Sequence, residues 1–213
     1  MQSVKKYLLL IIGIVLLVLA AGCSFGGIGY QDDEDSQKVV IQKPEGLPTH
    51  PKVLIVYFSH TGNTELAAWQ IQAAVGGQLF RLQPVVPYPA NSQECSVIAK
   101  QELDANKRPQ LAADLPDLAQ YDTVFIGYPI WYQTTPMLVR TFLEAHDFTG
   151  KAVVPFCTSD KDDIAQSRSE IAALCPTAVV PKGLTLHEVG TVRMQKQVTS
   201  WLQDIRGELD KNK

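Results

Sequence analysis

The chain has 213 residues, 46% of them hydrophobic, with 22 acidic against 19 basic side chains and a formal net charge of −3. That is enough apolar chain for one ordinary domain with its own core, and the mildly acidic balance, without a basic stripe, excludes nucleic acid as a partner. No internal repeat divides it.

Residues 1–22 read as an export signal, because Lys5-Lys6 precede an uninterrupted apolar and glycine run from Leu8 to Gly22. Ala20-Ala21-Gly22-Cys23 resembles a bacterial lipobox, in which small residues precede a cysteine that is lipidated and becomes the mature N-terminus. It departs from that pattern in holding Ala20 where leucine is usual, with Leu19 one residue too early. The alternative is an uncleaved single-span anchor, for which the run is short against the ~20 residues usually needed. Either reading tethers the domain outside the cytoplasm. No Arg-Arg pair marks a folded-export signal, so the chain is expected to cross unfolded and to acquire any cofactor afterwards. Residues 23–51 read as the lipidated N-terminus and a flexible linker, Gly-, Asp- and Pro-bearing, with a solvated acidic run at Asp32-Asp33-Glu34-Asp35.

From residue 52 to 210 strand-like and helix-like periods alternate, the pattern of an α/β domain with a parallel sheet between helices. Val53 to Phe58 is a near-continuous β-branched and aromatic run, as expected of a strand covered on both faces. It empties into Ser59-His60-Thr61-Gly62-Asn63-Thr64. A helix follows, with Ala67, Ala68, Ile71, Ala74 and Val75 on its apolar face and Gly76-Gly77 as its stop. Backbone amides at a helix start have no intrahelical partner and lie at the positive end of the dipole; hydroxyls add donors, and Gly62 lets the chain approach a ligand. The six-residue turn is therefore read as a phosphate cradle. Ser, Thr and Gly in such turns also serve merely as caps, but these hydroxyls are too many for one cap. Neither Gly-x-Gly-x-x-Gly nor a Gly-Lys-Ser/Thr loop is present here.

Gln78 to Gln83 is a short second strand. Ser92 is placed as the cap of a helix running to about Asn106, and Pro109 and Pro116 mark a loop. Thr123 to Gly127 is the third strand, and Thr135-Pro136 starts a helix with Leu138, Thr141, Phe142 and Ala145 on its buried face. Lys151 to Cys157 is the fourth strand. Ile164, Ile171 and Leu174 mark the next helix, and Ala178 to Leu186 contains the fifth strand, broken at Pro181. The last helix carries Met194, Val198, Trp201 and Ile205 at core spacing behind Thr191 as cap. With Cys23 assigned to lipid, Cys95, Cys157 and Cys175 remain. They are an odd set, in which a Cys157–Cys175 bridge and buried free thiols are both open.

The loop after the third strand, Gly127-Tyr128-Pro129-Ile130-Trp131-Tyr132-Gln133-Thr134-Thr135-Pro136, holds two large aromatics between prolines. Trp131 and Tyr132 offer π faces to a planar ring, and free backbone groups can bond its polar edge. The alternative is that they cover the sheet end.

Ser59, Thr61, Gly62 and Thr64 match the flavodoxin phosphate-loop pattern Ser/Thr-x-Thr-Gly-x-Thr. Together with Tyr88-Pro89, the Pro109 region, Gly127 to Glu144 and Val154 to Ser159, they make residues 52–205 similar to a bacterial flavodoxin-like family with exported members. The resemblance implies a flavodoxin-like doubly wound sheet of five parallel strands, order 2-1-3-4-5, with helices on both faces and a crevice between strands 1 and 3. It further implies noncovalent FMN, with the phosphate held by Ser59, Thr61, Gly62, Asn63 and Thr64 and His60 within the same turn. The ring is expected between Pro129, Ile130, Trp131, Tyr132 and Gln133 on one side and Thr158, Ser159 and Asp160 on the other. Where the family continues with glycine and serine, this chain reads Asp160-Lys161-Asp162-Asp163. Those acids either close or retune the third wall, or only start the fourth helix. A carboxylate ~8 Å from the ring opposes added electron density by about 2 kcal/mol at an effective dielectric of ~20, partly offset by Lys161.

The function implied is a membrane-tethered, FMN-dependent electron-transfer protein, either a carrier for a redox partner protein or a quinone- or nitro-type reductase of a small acceptor. It needs no catalytic side chain and no metal. The alternative is a flavin-free module of the same fold in the cell envelope. A hydrolytic reading through Ser59 with His60 or His187 is weak, because Gly-x-Ser-x-Gly is missing.

Overall fold

Alternation along Val53–Tyr57 (β1) sends Leu54 and Val56 to one apolar cluster and Ile55 and Tyr57 to another, so this strand is covered on both faces. The structure, a computed structural model, describes residues 52–113 and 116–210. The expected export signal, lipidated Cys23 and linker lie outside those residues. Gln78–Arg81 (β2), Thr123–Pro129 (β3), Ala152–Thr158 (β4) and Leu184–Leu186 (β5) complete a five-stranded parallel sheet in the order β2-β1-β3-β4-β5, as expected. Asn63–Val75 (α1) and Val192–Asp210 (α5) pack on one face through Ala67, Ala68, Ile71, Met194, Val198, Trp201 and Ile205. On the other face Met137–Glu144 (α3) and Ala165–Leu174 (α4) bury Leu138, Val139, Phe142, Leu143 and Ile171, and Ser92–Asp104 (α2) lies beside α3.

Three differences from the sequence expectation bear on the site. β3 runs two residues past Gly127, because buried Tyr128 pairs with Cys157 and its hydroxyl meets Ser167 Oγ at 3.0 Å; Pro129 then stands level with Thr158. α2 is capped by Asn91, not Ser92, since the Asn91 side chain accepts from the amides of Gln93 and Glu94. α3 starts at Met137, and Ala145 is an exposed residue at its end rather than part of the buried face.

Cys95, Cys157 and Cys175 are free and buried. The Cys157–Cys175 bridge is not formed; burial instead pushes the thiols up, Cys157 to about 12 and Cys175 to about 11. Among the described residues no helix is long and apolar enough to cross a membrane.

Candidate functional site

The carboxyl ends of β1, β3 and β4 converge where the strand order reverses, between β1 and β3. Beyond β1 the backbone turns at Gly62, whose φ of 94° is left-handed; a side chain built there would meet nothing within 4 Å. Buried Ser59 closes the turn, its Oγ accepting from the Gly62 amide at 3.1 Å. The first α1 bond runs from the Leu66 amide to Gly62 O at 3.0 Å, so the amides of Asn63, Thr64 and Glu65 precede the intrahelical ladder. Thr61 and Asn63 are exposed at the lip. The donor set is open, partly unengaged and at a helix start, which fits a phosphate.

Thr64 is buried and joins this turn to β4, its Oγ1 lying 2.8 Å from Oγ1 of Thr158. The Thr158 carbonyl accepts from the Ile130 amide at 3.0 Å, which ties the end of β4 to the loop after β3. That loop closes as a two-residue reverse turn: the Trp131 amide donates to Thr134 O and the Thr134 amide to Trp131 O, each at 3.1 Å. Tyr132 (φ 52°) and Gln133 (φ 63°) form its tip, the two positive angles of a type I′ hairpin turn.

The turn separates its two aromatics. Trp131 points to the phosphate turn, edge-on to Phe58 and Tyr88 at 5.2 Å each and 6.1 Å from the His60 ring. Tyr132 instead reaches α2, donating to Ser96 O at 2.9 Å and lying 2.6 Å from Ser96 Oγ. Gln133 is exposed at the tip, and Pro129 closes β3. On the third side Ser159 Oγ accepts from the Asp162 amide at 2.8 Å, and Asp163 Oδ1 accepts from the Ala165 amide at 2.8 Å. Asp163 thus engages the first amide of α4 from just before the Ile164 N-cap position, while Asp160 is exposed at the loop's edge.

Neither histidine is set up as a base for Ser59. His60 Nε2 donates to Pro89 O at 2.7 Å and His187 Nδ1 to Ser159 O at 2.8 Å. Among the described residues no cluster of His, Cys, Asp and Glu could hold a metal.

Two groups around the site escaped sequence reasoning, and a third, Tyr88, entered it only through the family resemblance. Arg81, at the end of β2, donates to Ser59 O at 3.2 Å and pairs with Glu65 at 3.4 Å, and Glu65 also accepts from the Tyr57 hydroxyl at 2.8 Å. Tyr88, behind Trp131, donates to Glu102 at 2.7 Å; burial pushes the pKa of both groups up, although the tyrosine bond opposes the rise at Glu102. Arg140 of α3 and Glu170 of α4 meet at 2.9 Å and both bond Thr134, bracing the hairpin. Arg81 lay inside the expected second strand, Gln78 to Gln83, and both its place at the strand end and its target appear only once β2 is paired so that Arg81 stands beside Tyr57.

The flavodoxin family model matches residues 52–205. None of the functionally curated proteins matches the chain. Among solved structures, a candidate flavoprotein of Bacteroides eggerthii is 35% identical with a TM-score of 0.63, over 72% of this chain and 97% of that one. A second, from Bacteroides uniformis, is 34% identical with a TM-score of 0.63, over 71% and 97%. A flavoprotein of Lactobacillus acidophilus, solved in complex with FMN, is 24% identical with a TM-score of 0.55, over 63% and 92%; that likeness is one of fold. With the sheet order and a family match over residues 52–205 in agreement, this chain belongs to the flavodoxin family.

Proposed function

We propose that the protein binds FMN noncovalently and transfers electrons while tethered to a membrane by lipid on Cys23. The observation that carries this reading is the convergence of an open, donor-rich turn after β1 and an aromatic hairpin after β3 at the same end of the sheet, with His60 6.1 Å from Trp131 and Thr64 2.8 Å from Thr158. The Lactobacillus acidophilus protein, which shares the fold, was solved with FMN.

The amides of Asn63, Thr64 and Glu65 and the hydroxyls of Ser59, Thr61 and Thr64 hold the phosphate. Ser59 accepts from Gly62 and keeps its own proton for donation. Trp131 flanks the ring from β3, and Ile130, Thr158, Ser159 and Asp160 border it from the other side. Bound there, FMN supplies the redox chemistry, taking up and releasing one or two electrons, while the chain supplies orientation and electrostatics. The partner is a redox protein or a small acceptor reaching the ring past the Tyr132 and Gln133 tip.

The full-length chain, purified in detergent, should be yellow with flavin absorbance or become so on adding FMN. A colourless protein that FMN cannot reconstitute overturns the reading in favour of a flavin-free envelope module. Labelling with a radioactive fatty acid, lost in Cys23→Ala, tests the anchor.

A further inference from the structure

A carboxylate stands where an arriving phosphate would find it. Glu65 lies in the first turn of α1, and its own backbone amide is one of the donors offered to the anion. In the free protein a negative side chain there suits the helix dipole; with a phosphate bound, two anions compete for the same positive end. Glu65 is turned away from the cradle by two partners on its sheet side. The Tyr57 hydroxyl donates to its Oε1 at 2.8 Å, and Arg81 Nη1 lies 3.4 Å from the same oxygen. Arg81 also reaches the turn itself, Nη2 donating to Ser59 O at 3.2 Å. One guanidinium therefore neutralises the competing carboxylate and fixes the carbonyl of the residue whose side chain closes the Gly62 turn.

Resting on the FMN reading above, we propose that Arg81 is the positioning and charge-balancing residue of the phosphate turn. It makes the site selective for a phosphorylated flavin by holding Glu65 paired. The β2 register, Tyr57 opposite Arg81, puts this cation at the strand end beside the turn, whereas the turn's own six residues carry no arginine or lysine.

The test compares FMN with riboflavin, which lacks the phosphate. Dissociation constants are measured by quenching of flavin fluorescence for full-length wild type, Arg81→Gln, Glu65→Gln and the double variant, with thermal melts to verify folding. Arg81→Gln should weaken FMN about tenfold, as expected for an unscreened carboxylate near a dianion, and leave riboflavin unchanged. Adding Glu65→Gln should restore most of the FMN affinity. Arg81→Lys, which keeps the charge and loses the fork, should fall between wild type and Arg81→Gln. Equal losses for both flavins, no loss for FMN, or a double variant as weak as Arg81→Gln overturns the inference alone. A wild type that binds neither flavin overturns the FMN reading and this inference with it.

Discussion

Thr61 and Thr64 lie three residues apart and face different surroundings: Thr61 is exposed at the lip, while Thr64 is buried against Thr158 at 2.8 Å. Both hydroxyls are assigned to the phosphate, but only Thr64 should also matter to stability. Thr61→Ala should weaken FMN and leave the urea midpoint in place. Thr64→Val keeps the shape but strands the Thr158 hydroxyl, and should cost about 1–2 kcal/mol in urea unfolding. Both threonines were legible as part of a hydroxyl-rich turn at a helix start, because spacing and residue type suffice to mark one. That Thr64 also bolts β1's turn to β4 was not, since its partner lies 94 positions away. The buried thiols make a second residue-scale prediction. Cys157 is pushed up from the ordinary 9.0 to about 12 and Cys175 to about 11. Above pH 9 the unfolded chain sheds these protons while the folded chain keeps them, so this stabilisation is present below pH 9 and lost as pH rises through the folded values. Urea midpoints should therefore fall as the pH is raised from 8 towards about 10, and Cys157→Ala/Cys175→Ala should flatten that fall.

At the scale of elements, two close fits hold the site in shape. Gly127 lies on β3 against the Phe156 ring of β4, where an added Cβ would come within 2.2 Å. Gly127→Ala should cost about 1–3 kcal/mol by urea unfolding, and Phe156→Leu in the same chain should recover part of it. The glycine could be read as a strand end but not as a contact, because only the parallel register sets it opposite Phe156. The hairpin is the other fit. Its tip keeps Tyr132 and Gln133 at positive φ, braced by Ser96 on one side and by the Arg140–Glu170 pair through Thr134 on the other. Gln133→Gly, which suits the second position of a type I′ turn, should raise stability by about 0.5 kcal/mol, read as a higher urea midpoint. The composition of this loop announced aromatics at a strand end. The sequence spacing did not announce that successive side chains diverge, Trp131 inward and Tyr132 to α2, since that follows from the turn type.

For the molecule as a whole, a ligand held only by the folded state adds stability by mass action. FMN at about 100 times its dissociation constant should add about 2.7 kcal/mol, seen as a rise in melting temperature, and riboflavin at the same concentration should add less because it leaves the phosphate turn empty. No shift with either flavin would count against the proposed function. The architecture itself was legible because its determinants are local. β-branched runs, helical periods at Ile71 and at Met194 to Ile205, and a hydroxyl-rich turn after the first strand depend on neighbours a few residues apart. The sequence by itself therefore determined the alternation of strands and helices, the hydroxyl-rich turn after the first strand and the aromatic loop. Only the tertiary structure decided that Trp131 meets His60, that Thr64 meets Thr158, and that Arg81 bridges Ser59 and Glu65. The physical reason is that each of these contacts joins segments held by different strands, and pairing register sets their distances where local propensity cannot.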